Sequence, residues 1–324
     1  MSNLEPIQTQ KMANEKTVTT NESFRERTMG DLRLLVSRLD TKGNILRRTC
    51  TKMGESACAQ VCAARGLEEY YRNADKQCAD RNIVEAFEAA DLDPKDVLMI
   101  GVTANGVGFG DQLPELDVKT NPEGFQELAG YNAFFVRPEE AQAIGCRLAD
   151  CGHIAIELTD SEGKPVMGFM HLTKPNMQGE GAYKFEYEGK PVSYFEYALK
   201  TALDHYGADL SSVSVTVNAA ISEDSYTYTF KDEDNAREQF PGWIEEGLVR
   251  SEQHPEWQPG DEFDPSDTWH LNFPELIKRH IERSGLTAEQ VDMTDMLDPR
   301  GSNGMHSSNH YDSSNRDLYA VAFR

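Results

Sequence analysis

The stretch from Arg147 to His171, RLADCGHIAIELTDSEGKPVMGFMH, limits the possible folds more than any other part of the chain. It predicts a strand, an Ala-Asp-Cys corner, a turn at DSEGKP and a second strand that ends on a histidine. Cys151 and His171 fall at equivalent ends of this hairpin, where neighbours on adjacent strands come within a few ångströms. The pair is therefore either a metal or nucleophile site, or a buried thiol beside an unrelated histidine.

Strands and helices alternate along the rest of the chain. ADRNIVEAFEAADLDPKDVLMIGV predicts a helix and then a short apolar strand, while SYFEYALKTALDHYG predicts a helix that stops at Gly207. HLNFPELIKRHIERSGL predicts a further amphipathic helix. VSVTVNAAI and the terminal LYAVAF predict strands, and we expect the apolar terminal strand to return into the sheet. Without a linker or an internal repeat, this pattern favours a single layered α/β domain, a mixed sheet flanked by helices.

The N-terminal residues 1–29 are polar and almost without apolar periodicity. We therefore expect a mobile N-terminal arm, followed by the α/β domain at residues 30–324. DLRLLVSRLD predicts the first strand of that domain and ILRRTCTKM a second. TANGVGFGDQ predicts a glycine-rich loop that could let the backbone approach a ligand, but its spacing matches neither the Walker nor the Rossmann pattern.

The charge balance limits the classes of partner. The chain has 324 residues, with 55 Asp and Glu against 32 Lys and Arg, and a net charge of −23. This acidity argues against a nucleic-acid scaffold and against docking on anionic membranes, although a locally positive pocket could still hold an anionic substrate. No apolar run could span a bilayer and the N-terminus has no signal-like apolar stretch, so we expect a cytoplasmic protein that acts on a small molecule.

The cysteines and histidines supply the candidate chemistry. The six cysteines include no CxxC pair, which argues against a zinc ribbon or finger, and a disulfide framework is not expected in a long cytosolic chain. Cys151 could be a nucleophile or a thiolate ligand if a positive neighbour stabilises its thiolate, or it could be a small buried hydrophobe. His171 could be its partner or a hydrogen-bonded core histidine. His153, two residues after Cys151, faces the same side of a strand and could supply a third metal ligand or flank the site.

Two further candidates lie near the C-terminus. His306, His310 and Asp312 in HSSNHYD could hold a metal, but a Ser/Asn-rich loop does not have the helical spacing of zinc proteases. Arg316, just before the terminal strand, could hold a phosphate or carboxylate group, or form a surface ion pair.

The order of these motifs resembles the laccase-domain family, also described as multicopper polyphenol oxidoreductase-like or purine nucleoside phosphorylase-like. The resemblance runs from about Asn73 to the C-terminus, through ADC, GFMH, VTVNAAI, WHLNFPELIKRHIERSGL and SSNRDLYAVAF. It implies a single α/β domain in which a cysteine and two histidines bind zinc, and it implies phosphorolysis of purine nucleosides or deamination of adenosine. Cys151, His171 and Arg316 match the family's cysteine, second histidine and closing arginine, and Asn82 matches an asparagine on a preceding helix.

The chain departs from the family pattern at positions that matter for chemistry. The family's first histidine should fall near Thr103, but GVTANGVG contains none, and LTKPNMQG replaces the family's residues after His171. With two matched ligands instead of three, we expect zinc to bind weakly and to activate water poorly. Lys174 could replace a lost arginine near phosphate, as a point charge rather than a fork.

Three functions are compatible with these residues. The first is a divergent enzyme that processes purine nucleosides, with zinc as its expected cofactor and nucleoside and phosphate as its ligands. Its expected catalytic residues are Cys151, His171 and Arg316, its metal ligands Cys151, His171 and His153, and its substrate-binding residues Lys174, Asn82 and Thr103. The second is a catalytically decayed ligand-binding or interaction protein of the same fold. The third is a polyphenol oxidase, which is disfavoured because eight scattered histidines contain no His-x-His pair for copper.

Overall fold

The computed structural model describes residues 18–20, 24–37, 80, 83–148, 151–178, 184–240, 242–257, 261–294, 296 and 317–324. Its strands are β1 Val18–Thr20, β2 Phe24–Met29, β3 Leu32–Ser37, β4 Val97–Phe109, β5 Lys119–Thr120, β6 Gln126–Val136, β7 Ala143–Leu148, β8 Gly152–Thr159, β9 Pro165–Leu172, β10 Phe185–Tyr187, β11 Lys190–Val192, β12 Ser214–Ala219, β13 Thr227–Tyr228, β14 Val249–Ser251, β15 Trp269–Leu271, β16 Val291–Asp292 and β17 Asp317–Phe323. Its helices are α1 (residues 83–88), α2 Lys174–Gln178, α3 Tyr194–Tyr206, α4 Glu233–Gln239 and α5 Phe273–Arg283.

Most of the described strands form one mixed sheet. Its order is β1-β2-β3-β17-β7-β4-β6-β9-β8-β12-β16, with β5 paired to β6. The β7–β4, β4–β6 and β12–β16 pairs are parallel and the others antiparallel. A small sheet of β13, β15 and β14 and the β10–β11 hairpin lie outside it. The predicted α/β class with a mixed sheet is confirmed, and the terminal strand β17 does return into the sheet, between β3 and β7.

The sheet curls until its first strands contact its last ones. Arg27 in β2 forms an ion pair with Asp292 in β16, and the backbone N–H of Asp31 donates to the Glu157 carboxylate of β8 at 3.1 Å. The curl encloses an apolar interior that includes Leu34, Phe134, Phe169 and Val321. Helices α3 and α5 cover the other face, where Tyr194, Phe195, Leu276 and Ile277 join a second core cluster.

The N-terminal residues take part in this sheet. Strand β2, at residues 24–29, pairs along its whole length with β3, so the expectation of a mobile arm through residue 29 is wrong for that segment. Strand pairing satisfies the backbone of a polar segment, and Asp292 neutralises Arg27, so apolar periodicity is not required there. Residues 1–17 and the predicted ILRRTCTKM strand lie outside the described residues.

The local sequence explains the elements that were predicted correctly. Ser193 and Glu196 form a reciprocal capping box at the start of α3, and Gly207 ends that helix with a φ of +59°. In the turn of the β8–β9 hairpin, the Asp160 carboxylate accepts the backbone N–H groups of Glu162 and Lys164, each at 2.9 Å. These contacts fix the hairpin and therefore the register of the strands on either side.

The predicted glycine-rich loop is instead the second half of strand β4. The β4–β6 register shifts between Gly101 and Gly106, so a bulge interrupts the ladder and contains Asn105. A Cβ on Gly108 would come within 2.3 Å of the Phe134 ring. The glycine at this position is therefore explained by close packing of β4 on β6, and the expectation of a loop was wrong. Among the described residues, no helix is long and apolar enough to cross a membrane.

Candidate functional site

Two histidines face each other inside the curled sheet. His153 in β8 is the direct cross-strand partner of His171 in β9, and their side chains are 0% and 5% exposed. The ring centroid of His153 lies 5.0 Å from that of Tyr319 and 5.4 Å from that of Phe169, both members of the interior cluster. Directly opposed residues of an antiparallel pair project to the same face, so both imidazoles belong to this interior.

The packing of α5 helps to orient this pair. A Cβ on Gly152 would lie 2.8 Å from the Cδ1 atom of Ile277, so the helix presses closely on β8 at the glycine. Because successive residues of a strand face opposite sides, His153 is directed away from α5 and into the interior. The register of the hairpin then places His153, rather than Cys151, directly opposite His171.

Side-chain amides hold both rings. The Nδ1 atom of His171 lies 2.9 Å from Oδ1 of Asn132, whose Nδ2 donates to Oδ1 of Asn105 at 2.7 Å. The Nδ1 atom of His153 lies 3.3 Å from Nδ2 of Asn218, at a register shift in β12. These three amides come from three different strands, β6, β4 and β12, so the site forms only when the sheet is assembled.

Burial makes both imidazoles neutral. It lowers the pKa of His153 to about 3, with a smaller contribution from the neighbouring His171, and it also lowers the pKa of His171 to about 3. The Nε2 atom of each ring is buried and has no hydrogen-bond partner among the described residues. Since buried polar atoms in folded proteins are nearly always bonded, two such atoms on facing residues call for an ordered water or a ligand between them and the described residues.

The described residues do not fit a catalytic zinc ion. Such an ion takes about three protein ligands and keeps one open position. In the part of the chain that the structure describes, no three His, Cys, Asp or Glu side chains come together as a metal site. The expected zinc site of Cys151, His153 and His171 stays a prediction.

Cys151 and Lys174 lie at the same, open end of the β8–β9 hairpin, where Gly152 pairs with Leu172. Cys151 is half-buried immediately before β8. Burial raises the pKa of the nearby Cys146 thiol, with a smaller contribution from Cys151. Lys174 begins α2, three residues after His171, and its Nζ lies 3.8 Å from the ring centroid of Phe240. Burial lowers the pKa of Lys174 to about 8.

The remaining predicted residues are less completely described. Thr103 lies in the bulged part of β4, but its side chain is outside the described part of the structure. The same is true of every atom of the following residues: Asn82, His306, His310, Asp312 and Arg316.

Asn132 and Asn218 were not among the site residues predicted from the sequence. Asn132 and Asn218 sit within the apolar strand sequences GYNAFF and VTVNAA, and both are more than nine-tenths buried. Asparagine is disfavoured in strands, and a buried amide requires partners. An asparagine inside an otherwise apolar strand was therefore the available signal for a polar site.

A cleft of about 510 Å³ lies in the same sheet, between residues of β4, β6 and β7. It begins where the parallel pairing of β4 and β7 stops, after Ile100 and Cys146. One wall contains Tyr131, the residue before Asn132, and another contains Arg147, whose guanidinium lies 2.6 Å from the Asp80 carboxylate. The carboxyl ends of parallel strands are where open α/β sheets bind their ligands.

Comparison with solved structures identifies the fold. The Bacillus licheniformis hypothetical protein YfiH has a TM-score of 0.61 and 10% identity, covering 95% of this chain and 99% of that one. YlmD from Geobacillus stearothermophilus has a TM-score of 0.61 and 11% identity, covering 94% and 98%. The Neisseria meningitidis protein NMB0706 has a TM-score of 0.54 and 11% identity, covering 95% and 98%.

The sequence itself is more distant from known proteins. Compared with models of known families and with curated protein sequences, the chain matches none. The three solved structures are members of the laccase-domain, or purine nucleoside phosphorylase-like, family, and identities near one in ten support a conclusion about the fold alone. The resemblance predicted from ADC, GFMH and the terminal strand is confirmed at that level: this chain has the fold of the laccase-domain family.

Proposed function

We propose that the protein binds a purine nucleoside with its base at the His153–His171 pair and cleaves it by phosphorolysis. The observation that carries this proposal is the pair of buried, neutral imidazoles whose Nε2 atoms have no partner among the described residues. An uncharged heterocyclic base offers the hydrogen-bonding groups that such a pair lacks. The cleft at β4, β6 and β7, at about 510 Å³, is of the size that small-molecule sites usually have.

The proposed reaction makes and breaks one bond at the ribose. A phosphate oxygen forms a bond to C1′ while the bond from C1′ to the base nitrogen breaks and its electrons leave with the base. The proton of hydrogen phosphate ends on the released base, and the other product is ribose 1-phosphate. Hydrogen bonds from the site to the base stabilise the electron density that gathers there in the transition state.

Lys174 is the described residue best suited to phosphate. Its ammonium group is half-buried, and its described contacts are the rings of Tyr228 and Phe240 rather than carboxylates. With a pKa of about 8, most of it carries a proton at neutral pH. Arg316 would add a bidentate contact, and Cys151, Asn82 and Thr103 remain predicted contributors to the same site.

The test is a product analysis with inosine, guanosine and adenosine, each with and without phosphate. Phosphorolysis releases base and ribose 1-phosphate only when phosphate is present, whereas hydrolysis releases base without it and deamination converts adenosine to inosine. We expect His171→Gln and His153→Gln to lower the phosphorolysis rate by about 10²-fold or more, as loss of a transition-state hydrogen bond does. His254→Gln, at an exposed histidine elsewhere, is the matched control. Absence of base release from all three nucleosides would refute the proposed reaction.

A nucleoside-binding protein without turnover is the second candidate. It is favoured by the departures of this chain from the family motifs and by the near-complete burial of both imidazoles. A thermal-shift measurement separates the two candidates. Stabilisation by nucleosides without any product supports binding alone, and product formation excludes it.

A further inference from the structure

The two imidazoles of the site meet different ends of their amide partners. Asn132 presents its oxygen to Nδ1 of His171, because its nitrogen already donates to Asn105 at 2.7 Å. An amide oxygen can only accept, so Nδ1 of His171 carries the proton. A neutral imidazole has a single N–H group, and the Nε2 atom of His171 is therefore an acceptor.

His153 has the opposite arrangement. The Nδ2 atom of Asn218 faces its Nδ1 atom at 3.3 Å, and an amide nitrogen can only donate. With the Asn218 amide in this orientation, the Nδ1 atom of His153 is the acceptor and the proton lies on Nε2. The two Nε2 atoms without partners among the described residues are thus chemically different, one an N–H donor and the other a lone-pair acceptor.

We propose that Asn218 and Asn132 are specificity-determining residues, which hold His153 and His171 in opposite tautomers so that the pair presents one donor and one acceptor to the bound base. This inference rests on the proposed function for the identity of the ligand, but not for the tautomers themselves. The ligand class is a planar heterocycle with a donor next to an acceptor on one edge. The 6-oxopurines carry such an edge in N1–H and O6, and the 6-aminopurines carry it in the exocyclic amino group and N1.

The same arrangement disfavours a metal ion at this pair. A metal takes a lone pair from each imidazole, and metal-binding histidines usually donate their other N–H to an oxygen. His171 satisfies that rule through Asn132, whereas the proton on Nε2 of His153 would have to move first. Replacing the Asn218 amide by a carboxylate would draw this proton to Nδ1 and free the Nε2 lone pair.

The decisive experiment is NMR of the full-length, ¹⁵N-labelled protein without ligand. Ring ¹⁵N shifts and two-bond couplings distinguish the Nδ1–H tautomer, the Nε2–H tautomer and the imidazolium. The His153→Gln and His171→Gln variants assign the two sets of signals. We expect Nε2–H at His153 and Nδ1–H at His171. The same tautomer at both residues, or an imidazolium at either, would overturn the proposal.

Two variants test the consequence for metal binding. Asn218→Asp should bind zinc at least about tenfold more tightly than the wild type in a chelator competition, because its carboxylate supplies the acceptor that Nδ1–H requires. Asn132→Asp keeps an acceptor beside His171 and is the matched control, with no such gain expected. Equal zinc affinity of Asn218→Asp and the wild type contradicts the proposal. Where Asn218→Asp does not fold, Asn218→Leu removes the donor instead, and persistence of the Nε2–H tautomer of His153 in that variant counts against Asn218 as its cause.

Ligand analogues test the donor–acceptor edge. Purine riboside lacks the group at position 6, and 1-methylinosine has its N1–H blocked. Both should shift the melting temperature less than inosine does, with affinities lower by about tenfold or more because a buried polar group is left unpaired. Equal binding of purine riboside and inosine would refute the inferred edge. Opposite tautomers in a protein that binds no nucleoside would instead refute the proposed function while leaving the tautomer assignment intact.

Discussion

Histidine side chains occupy two contrasting settings in this molecule. His153 and His171 lie in the sheet interior among amides and aromatic rings, and burial lowers the pKa of each to about 3. His254 has an exposed ring, and its Nδ1 atom lies 2.8 Å from the buried carboxylate of Asp267. That hydrogen bond raises the pKa of His254. The partner and the solvent, rather than the residue type, therefore decide which histidines carry charge.

The exposed setting contains a serine, a histidine and an aspartate but lacks the connections of a catalytic triad. The hydroxyl of Ser251 donates to Asp267 at 2.6 Å and accepts the backbone N–H of His254 at 2.9 Å. An activated serine instead needs its hydroxyl on the histidine ring. The cluster anchors a loop to strand β14, whereas the neutral interior pair is suited to an uncharged ligand.

The largest expected effect is the response of stability to acid. Burial lowers both interior pKa values below the ordinary 6.5, so the unfolded state binds more protons than the folded state at acidic pH. The free energy of unfolding is therefore unaffected by these two residues above pH 6.5 and falls as the pH falls toward 3. Between pH 7 and pH 5 the loss should be about 2 kcal/mol for each histidine. Urea unfolding at both pH values measures it. The His153→Gln/His171→Gln double variant should lose most of this difference, and an unchanged pH dependence in that variant would contradict the assignment.

The second-largest expected effect is on phosphate binding by Lys174, as distinct from nucleoside binding by His153 and His171. Lys174→Met should raise the KM for phosphate by about 10- to 100-fold, the range expected for one hydrogen bond to a charged group. The affinity for the nucleoside alone should stay close to that of the wild type. Steady-state kinetics and nucleoside titration measure the two quantities. Lys200→Met, on the exposed side of α3, serves as the control, and a loss of nucleoside affinity in Lys174→Met would show that the two roles are not separate.

A smaller effect is expected at the carboxylate of the exposed setting. Asp267→Ala leaves the buried Ser251 hydroxyl without its acceptor and should lower the free energy of unfolding by about 1–3 kcal/mol. The pKa of His254 should fall toward its ordinary value, as an NMR titration would show. Glu256→Ala, in the same loop, is the control for removing one negative charge. An unchanged His254 titration in Asp267→Ala would mean that the carboxylate is not the cause.

The fold was predictable where local contacts decide it. The capping box at Ser193 and the turn at Asp160 are both made within a few residues of sequence, and both elements were predicted. The curl of the sheet was not, because it depends on contacts such as Arg27 with Asp292, which are 265 residues apart. Strand β2 was missed for the same reason, since the charge of its buried Arg27 is compensated by the distant Asp292.

The candidate site was predictable in part. The hairpin pattern indicated that residues near Cys151 would meet His171, but the register that selects His153 is set by the turn. The amides of Asn132 and Asn218 come from other strands, and no spacing rule along the chain links them to the hairpin. The available signal was an asparagine inside an apolar strand, as at Asn132 and Asn218. Such a residue indicates that a buried hydrogen-bond partner exists but does not identify that partner.

The smallest expected effect is the pH dependence of stability that His254 contributes, which has the opposite sign to that of His153 and His171. Because its partner raises the pKa of His254, its stabilising contribution is complete below the ordinary pKa of 6.5 and is lost as pH rises through the folded value. His254→Gln should therefore destabilise the protein more at pH 5 than at pH 8, because raising the pH removes the proton from the wild-type ring. Denaturant midpoints of both proteins at the two pH values measure this difference. If His254→Gln instead destabilises the protein less at pH 5 than at pH 8, the pH dependence of His254 has the same sign as that of the buried histidines. The Asp267 carboxylate would then not be what distinguishes the two settings.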